Sequence, residues 1–135
     1  MKREKIWQAA LFTYIVIIFY FAVLNRDYGV GTALRLNLFW GYNNPDDDIL
    51  RDNILNIVLF MPIGILVGLI TKKKKMVKAL AIGLIISLTI ECLQLLFKKG
   101  TFDVDDLFNN SLGALIGGLL VWAAISVKKK RLVNG

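Results

Sequence analysis

ALAIGLIISLTIECLQLLF, residues 79 to 97, is apolar almost throughout and carries one acidic side chain, Glu91, with Gln94 one helical turn further on. A run of this length predicts a helix that crosses the roughly 30 Å hydrocarbon core of a bilayer. A charged group at the middle of such a helix costs roughly 3 kcal/mol on insertion scales, so intramembrane acids are kept mainly where they do something. Glu91 lies six residues before Phe97, which at 1.5 Å per residue sets it roughly 9 Å inside the helix end.

Three more apolar stretches flank this one: Ile6 to Leu24, Ile54 to Ile70 and Leu107 to Val127. With 56% hydrophobic residues in 135, the composition is far above that of a soluble domain of the same size. The reading is an all-α polytopic protein, one membrane domain over 1–135. Its spans are 6–24, 53–70, 79–97 and 106–127, with loops 25–52, 71–78 and 98–105. The first span follows Lys2, Arg3 and Lys5 as a signal peptide would. Its apolar run is too long for that, and no small-residue cleavage site precedes Asn25, so it is expected to be a retained helix.

Charge sets the orientation. Of 17 basic residues, 12 fall in Lys2–Lys5, Lys72–Lys78 and Lys128–Arg131, whereas eight acids occupy the two alternate loops. Basic clusters mark the cytoplasmic side, so both termini are expected inside a bacterial cytoplasmic membrane and the Asp-rich loops outside. The net charge of +7 is therefore a matter of topology and anionic lipid, and no nucleic-acid partner is expected. The single Cys92 forms no internal disulfide and reads as a packing residue. With no His, no paired Cys and no Ser beside a base, common zinc-hydrolase and triad chemistries are excluded.

The polar residues gather at the outer ends of the spans. Asn53 and Asn56 begin the second, Glu91 and Gln94 end the third, and Asn109 and Asn110 begin the fourth. Asp103, Asp105 and Asp106 stand where they can cap that fourth helix. No cofactor is expected, although the three Asp residues leave a carboxylate site for Mg²⁺ or Ca²⁺ as an alternative. The plainer alternative makes the Asp residues caps, the Asn residues interhelical glue and Glu91 a hydrogen-bond partner. Glu91 is either protonated or ionised against Lys98, Lys99 or Arg51, and the sequence leaves both states open. In the first loop, residues 34–40 are expected to lie along the membrane surface, Asn43–Asp46 to turn, and Asp46–Asp48 to start a helix. Pro62 should bend the second span near its middle. Gly64-x-x-x-Gly68 and Gly113-x-x-x-Gly117 read as packing seams. Asp52–Asn56 aligns with Asp105–Asn109, which sets Gly64 opposite Gly117 and raises a parallel repeat of two helical hairpins.

Three segments together resemble the VanZ-like family: Asp52–Gly64 with its Phe60-x-Pro62-x-Gly64, then Glu91-x-x-Gln94, then Phe102-Asp103-x-Asp105-Asp106 leading to Asn110-x-x-Gly113. Leu36-Asn37-Leu38-Phe39 is similar to a loop segment of that family but lacks its proline, and Lys99 stands where a basic residue often precedes the acidic run. The resemblance implies a small bacterial membrane protein. The family is named for a member that confers resistance to the lipid-bearing glycopeptide teicoplanin.

Three functions compete on these grounds. The first is a binding protein whose outer-leaflet pocket takes a lipid-linked cell-wall precursor or a lipoglycopeptide, through Asn53, Asn56, Glu91, Gln94, Lys99, Asp103, Asp105, Asp106 and Asn109. The second is a membrane enzyme acting on a lipid head group with Glu91 as acid/base. The third is an oligomeric proton- or ion-coupled transporter. Binding is the expectation, with the lipid bilayer as the one certain partner.

Overall fold

The computed structural model of the chain describes residues 2–27, 33–43 and 46–134. Helix α1, Lys2–Phe19, continues as a π-helical turn over Tyr20–Leu24. A two-residue strand β1, Leu34–Arg35, and a single helical turn α2, Trp40–Asn43, lead into α3, Asp47–Ile70. Helix α4 spans Lys75–Leu96, and strand β2, Phe102–Asp103, opens directly into α5, Val104–Asn134. Among the described residues four helices are long and apolar enough to cross a membrane, as the spacing of apolar runs predicts. Each begins before its expected apolar span. Helix α3 starts within the first loop, and α5 continues through the Lys128–Arg131 cluster.

Helix ends carry their own reasons. Asp46 caps α3, its carboxylate accepting the Asp48 N–H, while Asp48 pairs with Arg51 at 3.4 Å on the exposed surface. The acidic cluster thus starts a helix; the Asn44–Pro45 part of the expected turn lies outside the described residues. Helix α3 passes through Pro62 without ending, although that residue has no N–H to give the carbonyl four positions back. At its far end the Lys75 ammonium donates to the carbonyls of Gly68 and Thr71. A cation there satisfies the last carbonyls and complements the helix dipole.

Helices α3, α4 and α5 form a tight core whose register glycines define. A methyl on Gly113 would strike the Ile57 carbonyl, one on Gly117 the Met61 carbonyl, and one on Gly64 the Ala114 carbonyl. Further along, Gly68 faces Val121. Both sequences ascend together, so α3 and α5 are parallel neighbours, and Gly117 lies against Gly64. Helix α4 runs antiparallel to α5, with Gly83 on Ala114 and Ala79 on Gly118. Lipid tails are as apolar as leucine, so close backbone contact supplies what solvent exclusion supplies in water.

Helix α1 is different. Only Ile18, and Val23 in the π turn, are buried, and Phe12 is 71% exposed. Its polar tie to the core is the Tyr14 hydroxyl donating to the Leu59 carbonyl at 2.9 Å. Exposed apolar side chains along all four helices, among them Ile54, Ile85 and Leu120, form the surface that lipid would cover.

Candidate functional site

β1 and β2 pair in parallel, Leu34 with Phe102 and Arg35 with Asp103. This joins the first and last loops at one end of the bundle and puts the Thr71–Lys74 connection at the other. Nearly all the polar side chains of the core converge on the first end, and two sets of them can be separated by what they touch.

The first set builds the loops. The carboxylate of Asp105, a candidate helix cap or ligand contact, accepts the Phe39 N–H at 2.5 Å and the Gly41 N–H at 2.8 Å. Phe39 adopts a left-handed backbone, φ 64°, which costs roughly 1–2 kcal/mol in a non-glycine residue. Two hydrogen bonds to a carboxylate, at about 1.5–3 kcal/mol each, outweigh it. Gly41 fits because a methyl there would come within 2.8 Å of Ile49 Cγ2. Asp103 does the capping: its Oδ1 accepts the Asp105 N–H at 2.9 Å, while Oδ2 takes Arg35 Nη1 at 2.8 Å. Arg35 in turn lies 4.2 Å above the Trp40 ring, a cation–π contact. Asn53 Oδ1 accepts from Asn109 Nδ2 at 2.9 Å, and Asn109 Oδ1 accepts from the Tyr42 hydroxyl at 2.6 Å. Lys99 Nζ donates to the Leu24 carbonyl at 2.8 Å, holding the end of the π turn. Of the expected contact residues, Asn53, Lys99, Asp103, Asp105 and Asn109 thus all brace the loops and helix starts.

The second set lines a cavity of about 340 Å³ between α1 and the core. Its polar wall is Arg26, Asn56, Glu91, Gln94, Asp106 and Asn110; Ile17, Phe21, Leu59, Phe60 and Ile90 make the apolar wall. Glu91 is 2% exposed, and its Oε2 accepts the Asp103 N–H at 2.9 Å, which couples the pocket to the loop brace. Arg51 pairs with Asp48 and Asp52 instead of Glu91. Asn56 Nδ2 donates to Asp106 Oδ1 at 2.6 Å. Gln94 Nε2 donates to the Ala22 carbonyl at 2.9 Å and Asn110 Nδ2 to Ser87 Oγ at 2.9 Å. The oxygen of each of these two amides, Gln94 Oε1 and Asn110 Oδ1, is buried with no protein partner. A buried acceptor left so costs about 1–3 kcal/mol, the expected signature of a site shaped for something else.

Two adjoining hollows, of about 270 and 530 Å³, share Arg26 and Asp106 with this cavity and lead out past Arg35 and Asp103. Asp103, Asp105 and Asp106 turn to different partners, and among the described residues no three acids form a metal-binding group. Sequence reasoning missed Arg26, Arg35 and Tyr42. Arg26 had one signal, a basic residue on the side that the charge bias leaves acidic. Arg35 had none before β1 was known to pair with β2.

A family model described as VanZ/LLP1 matches residues 11–126. The chain is 33% identical over 67 residues to Protein VanZ of Enterococcus faecium, an alignment covering 50% of this chain and 42% of that protein. It thus spans under half the length of that curated relative. No solved structure matches.

Proposed function

This chain belongs to the VanZ/LLP1 family, and from that premise we propose that it binds an amphiphile in the bacterial cytoplasmic membrane, with the polar end of its bundle at the outer leaflet. The ligand is a lipid-linked cell-wall head group or a lipoglycopeptide of the teicoplanin type. One observation carries the reading: a single cavity has a charged end at Arg26, Glu91 and Asp106 and an apolar side at Ile17, Phe21 and Leu59. Those three apolar residues are 46%, 60% and 47% exposed, so the cavity opens sideways where lipid tails would lie. A head group and its tail would then be held by one site. Binding is favoured over catalysis because the groups that could act in a reaction are already engaged: Glu91 accepts a backbone N–H, Asp106 accepts from Asn56, and the Tyr14 hydroxyl donates to the Leu59 carbonyl.

The test is a titration of the purified chain with teicoplanin, with its glycopeptide core lacking the acyl tail, and with a lipid-linked sugar precursor. At least a tenfold preference for a tailed ligand, lost when Leu59→Trp fills the cavity, is the expected result. Equal binding of tailed and tailless ligands, or none at all, overturns the reading.

A further inference from the structure

We infer that the cavity selects a phosphate-bearing head group that also carries hydrogen-bond donors, the donors facing Glu91, Gln94, Asp106 and Asn110 and the phosphate facing Arg26. The inference rests on the amphiphile reading above and specifies its chemistry.

Apart from Arg26, each donor group of the wall already has an acceptor in the protein, whereas two amide oxygens have no donor. Gln94 Nε2, Asn110 Nδ2, Asn56 Nδ2 and the Tyr14 hydroxyl all donate within the protein. Gln94 and Asn110 are 4% and 5% exposed, and their oxygens have no partner. The orientation of Gln94 is not arbitrary, because a carbonyl such as that of Ala22 only accepts and must meet the NH₂ side of the amide. Two carboxyls, Glu91 and Asp106, add to the same wall. A ligand without N–H or O–H groups would leave the Gln94 and Asn110 oxygens unpaired, and a bare phosphate would meet two carboxyls.

Arg26 supplies the complement. It is the one cation among the described residues lining the cavity, borders all three hollows, and makes no ion pair with the described residues. A methyl on Gly100 would lie 3.0 Å from Arg26 Nη1 and 3.3 Å from Gln94 Oε1, so the guanidinium and the open amide oxygen flank one glycine. A planar guanidinium suits a phosphate through paired N–H bonds. In a head group, phosphate and donors are close neighbours, as those two protein groups are. An ammonium and a hydroxyl both meet the acceptor wall.

The test uses the full chain in amphipol, titrated with short-chain phosphatidylethanolamine, phosphatidylglycerol and phosphatidylcholine. The first two offer an ammonium or hydroxyls beside the phosphate; the third offers no donor. Phosphatidylethanolamine or phosphatidylglycerol should bind at least tenfold tighter than phosphatidylcholine, and the stronger of the two identifies the donor. Arg26→Gln should weaken that lipid about tenfold while leaving a phosphate-free alkyl glucoside unchanged, with helical circular dichroism confirming the fold. Glu91→Gln, which keeps an oxygen for the Asp103 N–H, should narrow the preference over phosphatidylcholine. Equal binding of all three lipids overturns this inference and leaves the amphiphile reading standing; binding of no tailed ligand, lipids included, removes both. An unchanged affinity in Arg26→Gln removes the phosphate assignment alone.

Discussion

The seam between α3 and α5 and the seam between α1 and α3 are both helix contacts in one small bundle, yet they are built oppositely. At the first, Gly113, Gly117 and Gly64 bring backbone onto backbone, leaving no room for a methyl. At the second, one tyrosine hydroxyl reaches a carbonyl, Ile18 packs into the cluster of Phe60 and Ile63, and a cavity opens beside them. The difference separates a scaffold from a wall that can be displaced. Asp105, Asn53 and Asn109 act on the scaffold side, whereas Glu91, Gln94 and Asp106 face the loose side.

Gly113→Leu should give the largest effect, because the new side chain has to push α5 off the Ile57 carbonyl. The destabilisation should reach or exceed the ~1–3 kcal/mol of ordinary overpacking, read as lost folded yield and a lower melting temperature in detergent. Asp105→Ala comes next. It strands the N–H groups of Phe39 and Gly41, for on the order of 2–3 kcal/mol, and should release residues 33–43 to limited proteolysis. Asn109→Ala removes the links to Asn53 and Tyr42; polar contacts between membrane helices average about 0.6 kcal/mol, so a loss near 1 kcal/mol is expected in the same melt. Tyr14→Phe removes one such contact and should cost no more than about 0.6 kcal/mol, while raising the exchange of amides in α1. A Tyr14→Phe loss as large as that of Gly113→Leu would break the comparison.

The distribution of apolar residues made the four spans legible, and the glycine spacings marked packing seams without saying which helix each would meet. Glu91 and Gln94 were legible as a pair because i and i+3 share a helix face. The partners of Asp105 were not legible, because backbone N–H groups of Phe39 and Gly41 leave no trace in side-chain chemistry. Arg35 was hidden for a related reason. It is brought to Asp103 by a ladder of two residues, too short to show the alternation that marks a strand. The looseness of α1 was also invisible, since its apolar run resembles the others and only packing distinguishes them.

The pairing of β1 with β2 also sets a clock. Phe39 and Asp105 are separated by 66 residues, Arg35 and Asp103 by 68. At synthesis rates of about 5–20 residues per second, the first loop waits roughly 3–13 s for its partners to emerge. Until α5 is inserted, α1 and α3 border a site with neither brace nor floor. The cavity is therefore the last part of the molecule to come into being, and a chain interrupted before residue 103 has spans but lacks the Asp106 and Asn110 wall.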